Sequence, residues 1–151
     1  MKIRLILIGR KSSAYLDHLD HYTKQINHYI DFSWILLKPS GLSGLQARHK
    51  DSANILKAIP KSATVWLLDE TGQQLSSPEL ASKLDNLKNQ GQELVLVIGG
   101  AYGVNDSLKK RAHFEWSMSK LTLAHEIAWL VTVEQLYRAT QISAGTKYHH
   151  I

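Results

Sequence analysis

The sequence predicts an α/β fold, a mainly parallel sheet with helices on both faces, as a single domain over residues 1–151. Three observations carry that prediction. Apolar runs of strand length alternate with stretches of helical period, the pattern of βαβ units. One run, Leu94-Val95-Leu96-Val97-Ile98, is apolar throughout, as a central strand covered on both faces must be. The chain has 151 residues, 44% hydrophobic and 21% charged, enough to bury one real core.

The elements follow in chain order. A first strand is predicted over Lys2–Gly9; its apolar run is interrupted by Arg4 and followed by Gly9-Arg10-Lys11, which argues against a cleaved signal peptide. A helix over Ser13–Tyr29 places His18 and His21 on one polar face, and a strand follows at Phe32–Lys38. Pro39-Ser40-Gly41-Leu42-Ser43-Gly44 is a loose loop that runs into Gln46-Ala47-Arg48-His49-Lys50. This basic cluster, at the start of a helix over Leu45–Ala58, reads either as a solvated face or as a phosphate contact. A strand over Thr64–Glu70 leads to a helix over Ser77–Asn89, whose start is marked by the capping-box spacing and early proline of Ser76-Ser77-Pro78-Glu79. The central strand, Leu94–Gly100, is followed by a short helix over Asn105–Ala112 and a strand over Trp116–Leu121. The last helix, Ala124–Ile142, carries Ile127, Leu130, Val131 and Leu136 as its expected core face. Trp129, Val133 and Tyr137 widen the apolar surface beyond one core contact, which points to a second subunit. Glu134 and Arg138 stand four apart, in the favourable order for a helix pair.

Composition narrows the chemistry. A net charge of +5 and a pI near 9.4 admit a polyanionic partner. With no cysteine there is neither disulfide nor thiolate chemistry. No apolar segment approaches the ~18 residues of a membrane span, so a soluble cytoplasmic protein is expected. The 8 histidines include no HExxH pattern, and no metal site is expected. Neither GxGxxG nor GxxxxGK[ST] occurs, which argues against dinucleotide binding and nucleotide hydrolysis. What remains is Gly99-Gly100-x-x-Gly103 at the carboxyl end of the central strand, where open α/β sheets bind ligands. Its glycines free the backbone to approach a ligand, and a branched side chain at Gly100 is expected to enter that pocket. The turn in Leu67-Leu68-Asp69-Glu70-Thr71-Gly72 belongs at the same edge, with Asp69 as a turn cap or a ligand-orienting group. The chain closes on Tyr148-His149-His150-Ile151, an aromatic and two imidazoles suited to stacking on a base and meeting phosphate.

Taken in order, Leu68-Asp69-Glu70-Thr71-Gly72, Gly99-Gly100-Ala101-Tyr102-Gly103, Ser117-Met118-Ser119-Lys120-Leu121-Thr122-Leu123-Ala124-His125, Glu134-Gln135-Leu136-Tyr137-Arg138-Ala139 and Tyr148-His149 span most of the chain. In these motifs and in its length the chain resembles the RlmH family, SPOUT-class methyltransferases that act on N3 of a pseudouridine in large-subunit (23S) ribosomal RNA. The resemblance implies a C-terminal trefoil knot, a homodimer built on the final helix, and assembled ribosomes as substrate. It also implies S-adenosylmethionine bound among three loops, which map here to Leu68, to Gly99 and Gly100, and to Met118, Ser119, Lys120, Leu121, Thr122 and Leu123. In such a reaction N3 of the base must lose its proton. His149 is the candidate general base and Tyr148 the stacking platform, while Arg138 either meets phosphate or pairs with Glu134. Two alternatives are a related SPOUT methyltransferase acting on another RNA and a non-catalytic RNA-binding module. The chain departs from the family pattern at Ala124, where proline is common, and at Trp129, where arginine is common.

Overall fold

The structure, a computed structural model, describes residues 1–150. Five strands, β1 (Lys2–Ile8), β2 (Asp31–Leu37), β3 (Thr64–Gln74), β4 (Leu94–Ile98) and β5 (Phe114–Ser117), alternate with five helices. These are α1 (Leu16–Ile26), α2 (Gly44–Ala58), α3 (Ser77–Asn89), α4 (Asp106–Arg111) and α5 (His125–Ser143). All strand pairs are parallel, in the order β2-β1-β4-β3-β5. β4 lies at the centre, with Leu96 in register with Leu5 on one side and Trp66 on the other. β3 is irregular between Leu68 and Gln73, where its pairing with β5 shifts register and its chain rises beyond the end of β4.

Alternation along the strands divides the core in two. Ile3, Leu5 and Leu7 of β1, with Leu94, Leu96 and Ile98 of β4, face α1, α3 and α5 through Leu19, Leu80, Leu84, Trp129 and Leu136. Ile6, Ile8, Val95 and Val97 face the other way, onto Ile55 of α2 and Leu108 of α4. Local chemistry fixes the helix starts. Ser76 accepts the Glu79 N–H while its own N–H donates to Glu79 Oε2 at 2.7 Å, so the capping box is complete. Asn105 caps α4 by accepting the Leu108 N–H at 3.0 Å.

Three elements differ from expectation. β3, expected over Thr64–Glu70 with a turn through Gly72, continues as strand to Gln74. The strand expected over Trp116–Leu121 is β5, Phe114–Ser117, and residues 118–124 form a loop. Short polar side chains turn it there: the Ser117 hydroxyl lies 2.9 Å from the Ser119 carbonyl, and Ser119 Oγ accepts the Leu121 N–H at 2.9 Å. In α5 the core face is made by Trp129, Val133, Leu136 and Ala139, all buried. Ile127 and Val131 lie half-exposed on the opposite face, outside both buried clusters. Both faces of this helix are apolar, so periodicity alone did not tell inside from outside.

Candidate functional site

The carboxyl ends of β3, β4 and β5 open into a cavity of about 490 Å³, within the range of small-molecule sites. Its walls come from the irregular stretch of β3 (Leu68, Asp69, Glu70), the loop after β4 (Gly99 to Val104, without Tyr102) and the 118–124 loop. The first turn of α5 closes it with His125 and Ala128. Leu68, Gly99, Gly100, Met118, Ser119, Leu121, Thr122 and Leu123 all line it. Lys120 does not: it sits on an exposed bend whose neighbours turn inward.

The two glycines shape the site differently from expectation. A Cβ on Gly99 would stand 2.7 Å from Val104 Cγ1, and one on Gly100 would stand 3.1 Å from Ile8 Cγ2. A side chain at Gly100 therefore presses on the end of β1 instead of entering the cavity. The glycines let the turn settle onto the sheet, leaving backbone as the cavity wall.

Polar cross-links hold the loops together. Thr122 Oγ1 donates to Glu70 Oε2 at 2.5 Å, and the Ser117 hydroxyl lies 3.1 Å from the Glu70 carbonyl. Asp69 accepts from the Thr71 N–H at 2.9 Å and from the Thr71 hydroxyl at 2.7 Å, and its other oxygen is 3.7 Å from Lys109 Nζ. Partial burial pushes the Asp69 carboxyl up, but the Thr71 hydrogen bonds and the Lys109 ammonium outweigh it and hold the group below the ordinary aspartate value. Two carboxylates thus stand at the cavity. Sequence reasoning treated Asp69 as a turn cap or ligand group, and it is both a cap and a wall. It missed Glu70, Trp116 and His125 as lining residues. The polar Asp69-Glu70-Thr71-Gly72 stretch that breaks the apolar run of β3 signalled Glu70, whereas His125 required knowing where α5 begins.

The tail lies elsewhere in the protomer. Tyr148 packs edge-on against Tyr137 at 4.8 Å, donates to Glu134 Oε1 at 3.2 Å, and sits 4.8 Å below the Arg138 guanidinium. His149 Nδ1 is 3.4 Å from Arg138 Nη1. Neither residue is among those lining the cavity. Burial first, then the Glu134 carboxylate, push the Tyr148 phenol above its ordinary value, so it is a hydrogen-bond donor at neutral pH. Arg138 makes a two-pronged pair with Glu134 at 2.7 and 3.1 Å, which is the structural one of its two expected roles.

Trp129 is fully buried, and its indole N–H has no partner among the described residues. Its ring lies over Gly9, where a Cβ would come 2.6 Å from Cζ2, and 5.4 Å from the His125 ring. The position where arginine is common is thus a packing position here.

Comparison with known proteins completes the picture. A family model described as a predicted SPOUT methyltransferase matches residues 1–149. The ribosomal RNA large subunit methyltransferase H of Geotalea daltonii is 37% identical over 153 residues, covering 99% of this chain and 100% of that protein. The protein of the same name from Stenotrophomonas maltophilia strain K279a is 34% identical over 154 residues, covering 99% of each. Among solved structures, a Haemophilus influenzae protein assigned to a methylase family superposes with a TM-score of 0.56 at 16% identity, over 97% of this chain and 67% of that one. A Legionella pneumophila protein assigned as a methyltransferase, solved in complex with the cofactor SAM, gives a TM-score of 0.52 at 11% identity, over 95% of this chain and 66% of that one. At these identities the two structures speak to the fold.

Proposed function

We propose a function from one fact: this chain belongs to the SPOUT methyltransferase family. It is an S-adenosylmethionine-dependent methyltransferase of large-subunit ribosomal RNA. The finer reading is that it methylates N3 of a pseudouridine in 23S RNA, on the assembled ribosome, as a cytoplasmic homodimer of single-domain chains. The observation that carries it is the three-loop cavity at the carboxyl edge of the sheet, in a chain matched along its length by methyltransferases.

The residues present fit the cofactor. Backbone of Gly99, Gly100 and Ala101 forms a wall that a planar or polar group can approach closely, and Leu68, Ile98 and Leu123 supply apolar surface. Asp69 and Glu70 put negative charge on a cavity wall, which would favour a ligand bearing ammonium and sulfonium groups. When bound, S-adenosylmethionine supplies an activated methyl group. The chain supplies position: the Thr122–Glu70 link holds the 118–124 loop against the irregular stretch of β3, which orients whatever lies between.

His149 is proposed to take the proton from N3 of the base, and Tyr148 to stack on it. Their place on α5 supports an arrangement in the dimer. Glu134 and Arg138, which hold the tail, lie on the same outward face as Ile127 and Val131, so pairing along α5 brings the tail to the subunit interface and towards the partner's cavity. The reading includes a C-terminal trefoil knot. In support, α5 packs against both α1 and α3 although β5 lies beyond β3, so the chain after β5 returns over the sheet.

Methyl transfer from tritiated S-adenosylmethionine to ribosomes, free subunits and transfer RNA in parallel tests the proposal. Label in large-subunit RNA is expected. Label confined to transfer RNA would favour a related enzyme, and none anywhere, with RNA still bound, a non-catalytic module.

A further inference from the structure

The basic start of α2 has no part in the site described so far, yet it is tied to it. Arg48 Nε donates to the Tyr102 carbonyl at 2.8 Å, His49 Nδ1 lies 3.4 Å from Asn105 Nδ2, and Ser52 Oγ accepts the Asn105 N–H at 2.9 Å. α2 therefore grips the loop whose other residues wall the cavity. Arg48 uses only Nε in this grip. Its two terminal nitrogens have no partner among the described residues, and the side chain is exposed. The acid within α2, Asp51, is buried, accepts the Ser40 N–H at 2.9 Å and makes no ion pair with Arg48.

Beside Arg48 and His49 stands exposed ring and aliphatic surface. Tyr102 is 45% exposed, and its ring makes no hydrogen bond or ring contact among the described residues. Leu45, one turn before Arg48 on the same stripe of α2, is 65% exposed. A free aromatic face beside an unpaired guanidinium edge suits a single-stranded nucleic acid, which offers a base to stack and phosphates to pair. An anionic membrane would use the charge and the leucine but would give the ring no base to stack on.

We infer that Tyr102, Arg48 and His49 form an RNA subsite beside the cavity mouth, Tyr102 stacking an unpaired base and Arg48 and His49 meeting the flanking phosphates. This rests on the proposed RNA substrate and extends it to a surface on the α2 side of the sheet, opposite the tail and α5. Arg48 then links the two events, because the phosphate it binds and the cavity loop it holds share one guanidinium.

The test is fluorescence anisotropy of a labelled short oligouridylate with the full chain, with cofactor affinity measured separately by calorimetry. Tyr102→Ala keeps the carbonyl that Arg48 holds and removes only the ring. It should weaken oligouridylate binding roughly 5- to 150-fold, the range of one stacked base. Tyr102→Trp should restore binding, and S-adenosylmethionine affinity should stay within about twofold in both. Arg48→Gln should lower the slope of log affinity against log salt by about 1. The inference is overturned if the wild type does not bind the oligonucleotide or the variants bind as the wild type does. It is equally overturned if Tyr102→Ala loses cofactor and RNA affinity together, or if the variants affect only binding to anionic vesicles. Variant-sensitive RNA binding without methyl transfer to ribosomes would instead count against the proposed function and leave this subsite standing.

Discussion

Gly9 and Trp129 show how a residue's role can hide from sequence. Nothing in Gly9-Arg10-Lys11 announces that an indole from the last helix will lie on that glycine, because the two meet only after the sheet is assembled. Gly9→Ala forces the Trp129 ring aside and should cost about 1–3 kcal/mol, read by chemical denaturation. A change of a few tenths would mean that the ring yields freely. Asp69 carries a pH consequence. A carboxyl whose folded pKa lies below its unfolded value stabilises the fold above the unfolded value, and that contribution is lost as pH falls through the folded pKa. Asp69 is of this kind, with Thr71 and Lys109 outweighing burial. Lys109→Met should raise the Asp69 pKa towards the ordinary value in a carboxyl NMR titration, so that its stabilising contribution fades at a higher pH. An unmoved pKa would assign the depression to Thr71 alone.

Among the elements, β4 and α3 were legible because one signal dominated each: a five-residue apolar run, and a serine–proline–glutamate start. β5 was misplaced because Met118–Leu123 is apolar enough to pass for a strand while Ser117 and Ser119 bend it into a loop. α5 was found and Leu136 faces inward as expected, but Ile127 and Val131 exchanged places with Trp129 and Val133. That exchange separates two substitutions. Val133 is fully buried, so Val133→Asp should unfold the chain, with loss of the circular-dichroism signal. Val131 faces outward, so Val131→Asp should leave the fold intact and shift sedimentation from dimer to 17.0 kDa monomer. A Val131→Asp protein that stays dimeric would move the proposed interface away from this face.

For the molecule as a whole, the cavity loops were legible from glycines and short motifs at strand ends, since a parallel sheet brings those ends to one edge. The strand order and the position of the tail were not, because both depend on contacts between distant segments. The tail's place on α5 predicts complementation. A chain lacking residues 147–151 and a Gly100→Val chain, whose added side chain presses on Ile8 beneath the cavity turn, should each be inactive. Mixed dimers should regain methyl transfer, because one intact cavity then meets one intact tail. No recovery, with mixed dimers shown to form, would place the tail's action in its own protomer. The central claim is that the methyl goes to N3 of a pseudouridine in large-subunit RNA. Mass spectrometry of nucleosides from ribosomal RNA, after a single turnover on ribosomes from cells lacking the activity, tests it most directly. One new product is expected, N3-methylpseudouridine in large-subunit RNA; a ribose-methylated nucleoside, or a methyl group on any other base, would overturn the assignment.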